Sequence, residues 1–189
     1  MPIRNDLVSA IRADAKRQFS HWERTSGLGA YTRLIFLCPG FQLALCLRFQ
    51  EAVGRVPKAG FFLRRVAWYF TTMWFGCDID PHATIGPGIH FPHPTGIVIG
   101  GEWDIGANVS ILQGVTLGRG HEEPVTRSTV GDGAVLTAGA KVIGNVSIGS
   151  GAVVGANAVV LQDVPPGFVA VGVPARMIEP RSRKSDKPL

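Results

Sequence analysis

Aliphatic residues recur at every sixth position through the second half of the chain, starting at Ile79 and running to Leu117 with one wider step. The pattern then breaks and resumes from Val130 to Val160. A small residue often follows the aliphatic one directly or lies four positions after it. The aliphatic positions are Ile79, Ile85, Phe91, Ile99, Ile105, Ile111, Leu117, Val130, Leu136, Val142, Ile148, Val154 and Val160.

A hexapeptide period is typical of a parallel β-helix. Three six-residue sides form one triangular coil, so equivalent residues stack about every eighteen positions, with rungs about 4.8 Å apart. An ordinary all-β domain would instead show period-two alternation with turn signals about every 8–12 residues, and this sequence shows neither. We therefore predict a mainly β fold in which a parallel β-helix covers residues 77–178.

Residues 1–76 lack this period, and we predict that they form an N-terminal helical region. Asn5-Asp6 can cap a first helix that runs to about Glu23. A second, apolar helix is split at Pro39-Gly40, because proline disrupts a helix interior. A third helical segment covers residues 58–75.

Two further stretches depart from regular structure. The six-residue period fails at residues 119–129, which we interpret as a polar excursion loop, and loops on a rigid scaffold often carry binding groups. Residues 179–189 are basic and contain proline, which predicts a disordered tail.

The composition narrows the class of protein. The 189 residues include 19 Lys and Arg against 14 Asp and Glu, a formal charge of +5. A basic excess suits phosphorylated ligands, nucleic acid or an anionic membrane surface, but no nucleic-acid-binding motif occurs, so we predict no nucleic-acid partner. Three cysteines without a C-x-x-C pair, and no secretory or membrane-spanning apolar run, predict a reduced, cytoplasmic protein.

The segment at residues 58–75 has two interpretations. It is dense in aromatic residues and carries Arg64-Arg65, a combination that occurs in helices lying on a membrane surface. Packing against the β-helix or a neighbouring subunit explains the same amphipathicity, and we favour it because amphipathic helices more often report core packing. Peripheral contact with the inner face of the membrane is the alternative.

Three motifs resemble the serine acetyltransferases. They are the run from Asp78-Ile79-Asp80-Pro81 to Gly96-Ile97-Val98-Ile99-Gly100, the run Asn108-Val109-Ser110-Ile111-Leu112-Gln113-Gly114-Val115-Thr116-Leu117-Gly118, and the closing Val171-Gly172-Val173-Pro174-Ala175-Arg176. The resemblance covers most of residues 35–178. It implies a left-handed β-helix, acetyl-CoA as co-substrate without a metal, and a homotrimer with its sites at the subunit interfaces.

The resemblance implies that His93 is the catalytic base and Asp78 its partner. Acyl transfer from a thioester to a hydroxyl needs a base near neutral pH, for which histidine is suited. A carboxylate on the other ring nitrogen fixes the tautomer and stabilises the imidazolium. Asp78 and His93 lie fifteen positions apart, on adjoining rungs, and His90 is the second candidate for the base.

By the same resemblance, small residues and two cations would bind acetyl-CoA. Small side chains let a ligand approach the backbone closely. The residues expected to line the cofactor arm are Gly118, Ala138, Gly139 and Ala156, and those expected at the nucleotide phosphates are Lys141 and Arg176.

The departures from the family motifs concern the acceptor. Pro92 and Thr25 stand where the family has carboxylates, and Thr126-Arg127 stands where it has an Arg-His pair. An amino acid's ammonium group needs a carboxylate partner when buried, so we interpret the acceptor as a sugar hydroxyl in bacterial exopolysaccharide or capsule biosynthesis. The residues predicted to bind this glycan or activated sugar are Pro92, Trp103, His121 and Arg127.

Two other functions are compatible with the sequence. One is a serine O-acetyltransferase of cysteine biosynthesis with an unusual amino-acid site. The other is a catalytically idle β-helix that serves as a trimeric scaffold, against which Asp78 and His93 both argue.

Overall fold

The structure, a computed structural model, describes residues 7–22, 28–120 and 126–179. Within them, helices precede a long series of very short strands. The helices are α1 (Leu7–Trp22), α2 (Leu28–Leu37), α3 (Pro39–Val53) and α4 (Gly60–Phe75). The strands are β1 (Asp78–Ile79), β2 (Thr84–Ile85), β3 (Val98–Ile99), β4 (Trp103–Ile105), β5 (Ser110–Ile111), β6 (Thr116–Gly118), β7 (Ser128–Val130), β8 (Val135–Leu136), β9 (Lys141–Ile143), β10 (Ser147–Ile148), β11 (Val153–Val154), β12 (Val159–Val160), β13 (Val169–Val171) and β14 (Arg176–Ile178).

The strands form three sheets that enclose a triangular core. Their orders are β1-β3-β6-β9-β12, β2-β4-β7-β10 and β5-β8-β11-β13-β14. Every strand pair is parallel except β13–β14, which closes the last coil as an antiparallel pair. From β1 to β13, consecutive strands lie in different sheets, as a chain that winds around one axis requires. The predicted fold class, a left-handed parallel β-helix after an N-terminal helical region, is confirmed.

The aliphatic positions of the repeat point inward and form the core. All of them are buried except Ile85, which lies in the first coil beside the helices and is partly buried. The strand register stacks them directly, as in Leu117 against Val142 and Val142 against Val160. Each fully buried side chain of this kind contributes about 1.5–3 kcal/mol, so the stack supplies much of the stability of the fold.

A break at Cys38 separates α2 from α3. Pro39 is the first residue of α3, where its missing N–H costs no hydrogen bond. The next residue, Gly40, touches the backbone of Phe91 so closely that a Cβ would collide with the carbonyl oxygen. Glycine at this position therefore lets α3 lie directly against the first coil.

A buried ion pair joins the helices to the β-helix. Arg48 on α3 donates from Nε to Asp14 on α1 at 2.9 Å, and from its other nitrogens to the carbonyl oxygens of Ile85 (2.8 Å) and Gly86 (2.7 Å). Asp14 also accepts the backbone N–H of Gly88 at 2.7 Å. Both side chains are almost fully buried, and each is compensated by several hydrogen bonds, as buried charges require.

Helix α4 packs against the rest of the protein on one side only. Gly60 and Thr71 are buried, whereas Phe61 and Trp74 expose 77% and 82% of their surface. Among the described residues, no single helix is long and apolar enough to cross a membrane. One pair of consecutive helices, Gly29–Leu37 with Pro39–Val53, is long and apolar enough when the two are taken together, by length and composition alone. The pair is bent by 82°. Peripheral membrane contact through residues 58–75 stays a prediction.

Removal of the Asp14 carboxylate should destabilise the protein. Asp14→Asn leaves the Arg48 guanidinium buried with a weakened partner, and breaking such a pair costs about 3–5 kcal/mol. The measurement is the free energy of unfolding in urea at fixed protein concentration. The control is Arg55→Gln, because Arg55 pairs with Glu51 at the surface, and its loss should cost at most about 1 kcal/mol. Equal effects of the two variants would contradict the proposed role of the junction.

Candidate active site

The register of the coils locates a short insertion. Asp78 pairs with Val98, twenty positions later, whereas Val98 pairs with Thr116, eighteen positions later. The bridge from His90 to Ser110 also spans twenty positions. Two additional residues therefore lie between His90 and Val98.

His93 lies in this insertion. Gly96 stacks on Gly114 of the next rung, which confines the additional residues to the stretch 92–95. Because the coil interior has no room for them, the chain bulges outward, and His93 is exposed. Its imidazole makes no hydrogen bond to any residue that the structure describes.

Asp78 begins the first strand on the adjoining side. Its side chain is exposed and points away from the core, as the alternation with buried Ile79 requires. The indole Nε1–H of Trp68 on α4 donates to Asp78 Oδ1 at 3.1 Å, a contact that the sequence did not predict. The backbone near Asp78 is also bonded to the backbone near His93, since the N–H of Gly96 donates to the carbonyl oxygen of Gly76 at 3.0 Å. Asp78 and His93 therefore belong to neighbouring stretches of backbone. Their roles as partner and base remain predictions.

His90, the second candidate for the base, is placed differently. It is buried, and its Nδ1 lies 3.4 Å from the Oγ of Ser110. A histidine that is 5% exposed has little access to a substrate. The geometry therefore favours His93.

A column of small residues runs down the corner below His93. Gly96, Gly114 and Gly139 all have positive φ and stack on one another. Ala138 and Ala156 lie in the same column, where the N–H of Asn157 donates to the carbonyl oxygen of Ala138. The column descends three rungs from the level of His93, a distance of about 14 Å. It brings together three of the four residues predicted to line the cofactor arm: Ala138, Gly139 and Ala156.

Gly118 lies away from this corner, whereas Lys141 lies beside it. Gly118 is at the far end of β6. Lys141 begins β9 beside the column, but its ammonium donates to the carbonyl oxygen of Gly114 and to Thr116 Oγ1. Arg176 is exposed on β14, in register with Val171. Cofactor binding by all three stays a prediction.

The predicted acceptor contact of Trp103 is corrected by the structure. Trp103 is fully buried, since it begins β4 and points inward like Ile105 two positions later. Its ring therefore has no face to offer an acceptor. Pro92 is half-buried next to His93. His121 and Thr25 lie outside the described residues.

Arg127 is held by a network at the edge of the β2-β4-β7-β10 sheet. Two of its nitrogens donate to the Asp104 carboxylate, each at 2.7 Å. It also donates to the carbonyl oxygen of Trp103 at 3.2 Å and to Thr84 Oγ1 at 3.3 Å. β7 begins at Ser128, so the excursion is two residues shorter than predicted. Arg127 ties the end of this excursion to the preceding coil.

Two carboxyl groups near this edge, those of Asp104 and Asp80, have pKa values below the usual value. The hydrogen bond from Arg127 is the main cause that holds the pKa of Asp104 below its usual value. The pKa of Asp80 is also lowered. Burial acts in the opposite direction there but is outweighed by hydrogen bonds from the backbone N–H and ring of His82 and by the charges of His82 and Arg65.

Fold and site together define an acyltransferase of the hexapeptide-repeat class. Comparison with family models finds no match. The serine acetyltransferase of Synechocystis is 40% identical over 179 residues, which cover 94% of this chain and 70% of that protein. Soybean serine acetyltransferase complexed with serine has a TM-score of 0.79 at 39% identity and covers 91% of this chain and 69% of that one. Serine acetyltransferase from Brucella abortus in complex with coenzyme A has a TM-score of 0.79 at 28% identity, covering 90% and 66%.

The chain belongs to the serine acetyltransferase family. The predicted enzyme class, an O-acetyltransferase that uses acetyl-CoA, is confirmed. The predicted sugar acceptor in exopolysaccharide or capsule biosynthesis is wrong, because relatives that match most of the chain are serine acetyltransferases. The charge changes at Pro92, Thr25 and Arg127 suggested a neutral acceptor, but the coils match those of serine acetyltransferases over most of the chain.

His93→Ala should lower the turnover number about 10²–10⁴-fold, the usual cost of losing a general base. Asp78→Asn should cost less, because it disturbs the tautomer and leaves the base in place. Thiol release from acetyl-CoA measures both, with circular dichroism as the check on folding. His82→Ala is the matched control, since His82 is exposed and bonded to Asp80. More than roughly a tenth of wild-type turnover in His93→Ala would point to another base.

Acid should weaken the tie between Arg127 and Asp104. The pKa of Asp104 is lower in the folded protein than the ordinary value of 3.8, so the pair stabilises the fold above that pH. The stabilisation is lost as the pH falls through the lower, folded-state pKa. Asp104→Asn should therefore reduce the fall in Tm between about pH 5 and pH 3. Arg127→Gln should have the same effect, and the two should not add; additive effects would contradict the pairing.

Proposed function

We propose that the protein is a serine O-acetyltransferase, which transfers the acetyl group of acetyl-CoA to the hydroxyl of L-serine. The products are O-acetylserine and coenzyme A. The carrying observation is the two-residue insertion that presents His93 beside the Asp78 strand in a chain 40% identical to a serine acetyltransferase. The serine-bound soybean structure, 39% identical, supports the same acceptor.

The exposed imidazole of His93 acts as the general base. It takes the proton of the serine hydroxyl as the oxygen attacks the thioester carbonyl. The carbon–sulfur bond then breaks, and the imidazolium returns the proton to the leaving thiolate. Asp78 stabilises the imidazolium during these steps and holds the ring in one tautomer.

The corner column below His93 binds the cofactor arm. Gly139 and the alanines at 138 and 156 leave the backbone accessible along about 14 Å, so an extended chain can lie against it. The thioester then lies at the upper end of the column, next to the base. Lys141 and Arg176 are the proposed phosphate ligands.

Serine binding needs a carboxylate for the ammonium group at a position other than Thr25 and Pro92.

A test of acceptors decides the proposed function. Thiol release from acetyl-CoA is measured with L-serine, D-serine, L-homoserine and a free hexose at equal concentrations. We expect a kcat/KM of about 10⁴ M⁻¹s⁻¹ or more with L-serine, the range of physiological substrates, and far lower values with the others. O-acetylserine is confirmed by mass spectrometry. Serine turnover no faster than hydrolysis of acetyl-CoA in water would overturn the proposal.

We propose further that the protein works as a cytoplasmic homotrimer with its sites between subunits. The β-helix exposes apolar side chains that a neighbour would cover, among them Val98 and Leu161. The cofactor column is open on its outer side, which a second subunit would close. Sedimentation velocity should show a trimer, and a stable, fully active monomer would contradict the shared site.

A further inference from the structure

We propose that Trp68 is a positioning residue that holds the Asp78 carboxylate for its work with His93. The inference rests on the proposed function, in which Asp78 is the partner of the base. The observation that supports it comes from this structure and does not depend on similarity to other proteins: the indole Nε1 of Trp68 lies 3.1 Å from Asp78 Oδ1.

The helix end brings Trp68 to this carboxylate. α4 ends at Phe75, and Gly76 adopts the left-handed conformation, with φ 61° and ψ 30°, that terminates the helix and turns the chain into β1. Asp78 therefore starts its strand close to the last turns of α4. Trp68, ten residues earlier on that helix, can reach back to it.

Arg65 fixes the indole ring. Its guanidinium carbon lies 4.1 Å from the centre of the Trp68 ring, within the range of a cation–π interaction. The two residues are three positions apart, so they share one face of α4. Arg65 thereby restricts the rotamers of Trp68, and the indole N–H keeps its aim at Asp78.

The indole N–H occupies one oxygen of the carboxylate and leaves the other. Asp78 Oδ2 accepts no hydrogen bond from any residue that the structure describes, so it is available to the imidazole. A carboxylate on an exposed strand otherwise rotates freely about its side-chain bonds. The contacts of Arg65 with Trp68 and of Trp68 with Asp78 remove that freedom before the substrate binds. Preorganisation of this kind raises the turnover number more than the affinity.

Indole nuclear magnetic resonance tests the contact without any substrate. In ¹H–¹⁵N spectra of the full chain, the cross-peak that Trp68→Phe removes is the Trp68 Nε1–H. Asp78→Ala should shift that peak upfield, since it loses its hydrogen-bond acceptor, and should leave the peak of Trp74 in place. An unchanged Trp68 peak in Asp78→Ala would overturn the inference whatever reaction the protein catalyses.

Kinetics test the role of the contact. Trp68→Phe should lower kcat roughly tenfold, as loss of a hydrogen bond to a charged group does, with both KM values within about twofold. In the Asp78→Ala background the same substitution should change nothing further. Trp74→Phe is the matched control on the same helix, 82% exposed, and should keep wild-type kinetics.

The outcomes separate this inference from the proposed function. Rates are followed both as serine-dependent thiol release and as hydrolysis of acetyl-CoA without acceptor, which uses the same base. A wild type that hydrolyses acetyl-CoA but does not acetylate serine refutes the proposed acceptor alone. A Trp68→Phe enzyme as active as Trp74→Phe in both assays, or one that loses equal activity with and without the Asp78 carboxylate, refutes the positioning role alone.

Discussion

Hydrogen bonding between successive rungs is the constraint on which the rest of this structure depends. Strands of successive coils are hydrogen-bonded to one another, so the coils keep a fixed register and their inward residues stack. A chain segment of any other length cannot be absorbed inside the coil and has to leave it. The two additional residues before Val98 project His93, and the step from Thr116 to Lys141, seven residues longer than a regular coil, produces the excursion. The candidate chemistry lies where the register is interrupted.

The repeating part of the fold could be predicted because its signal is local and periodic. The inward positions, the helix break before Pro39 and the wider step between Phe91 and Ile99 are all visible in the sequence. The acceptor contact predicted for Trp103 was wrong, although the period-two alternation with Ile105 indicates that both side chains point into the core. The contacts of Asp14 with Arg48 and of Trp68 with Asp78 have no such signal, because they join segments that meet only in the folded chain.

The charges at single positions did not predict the acceptor correctly. Carboxylates missing at two positions suggested a neutral sugar, yet the relatives that match most of the chain are serine acetyltransferases. Binding of an ammonium group needs a carboxylate within reach, and the position in the sequence that supplies it can change. The proposed base, His93, lies at the interruption of the first coil, where the corner column ends. For this reason the transfer chemistry was easier to predict than the substrate.

The central claim is that His93 accepts the proton of the serine hydroxyl at the head of the corner column. A crystal structure of the protein with coenzyme A and L-serine tests it most directly, through the distance from the His93 ring nitrogens to serine Oγ. The account predicts a distance of about 2.6–3.2 Å, with the coenzyme thiol beside Oγ and the cofactor arm against Ala138 and Gly139. A serine whose Oγ is bonded to another histidine, or a cofactor that avoids this column, would contradict it.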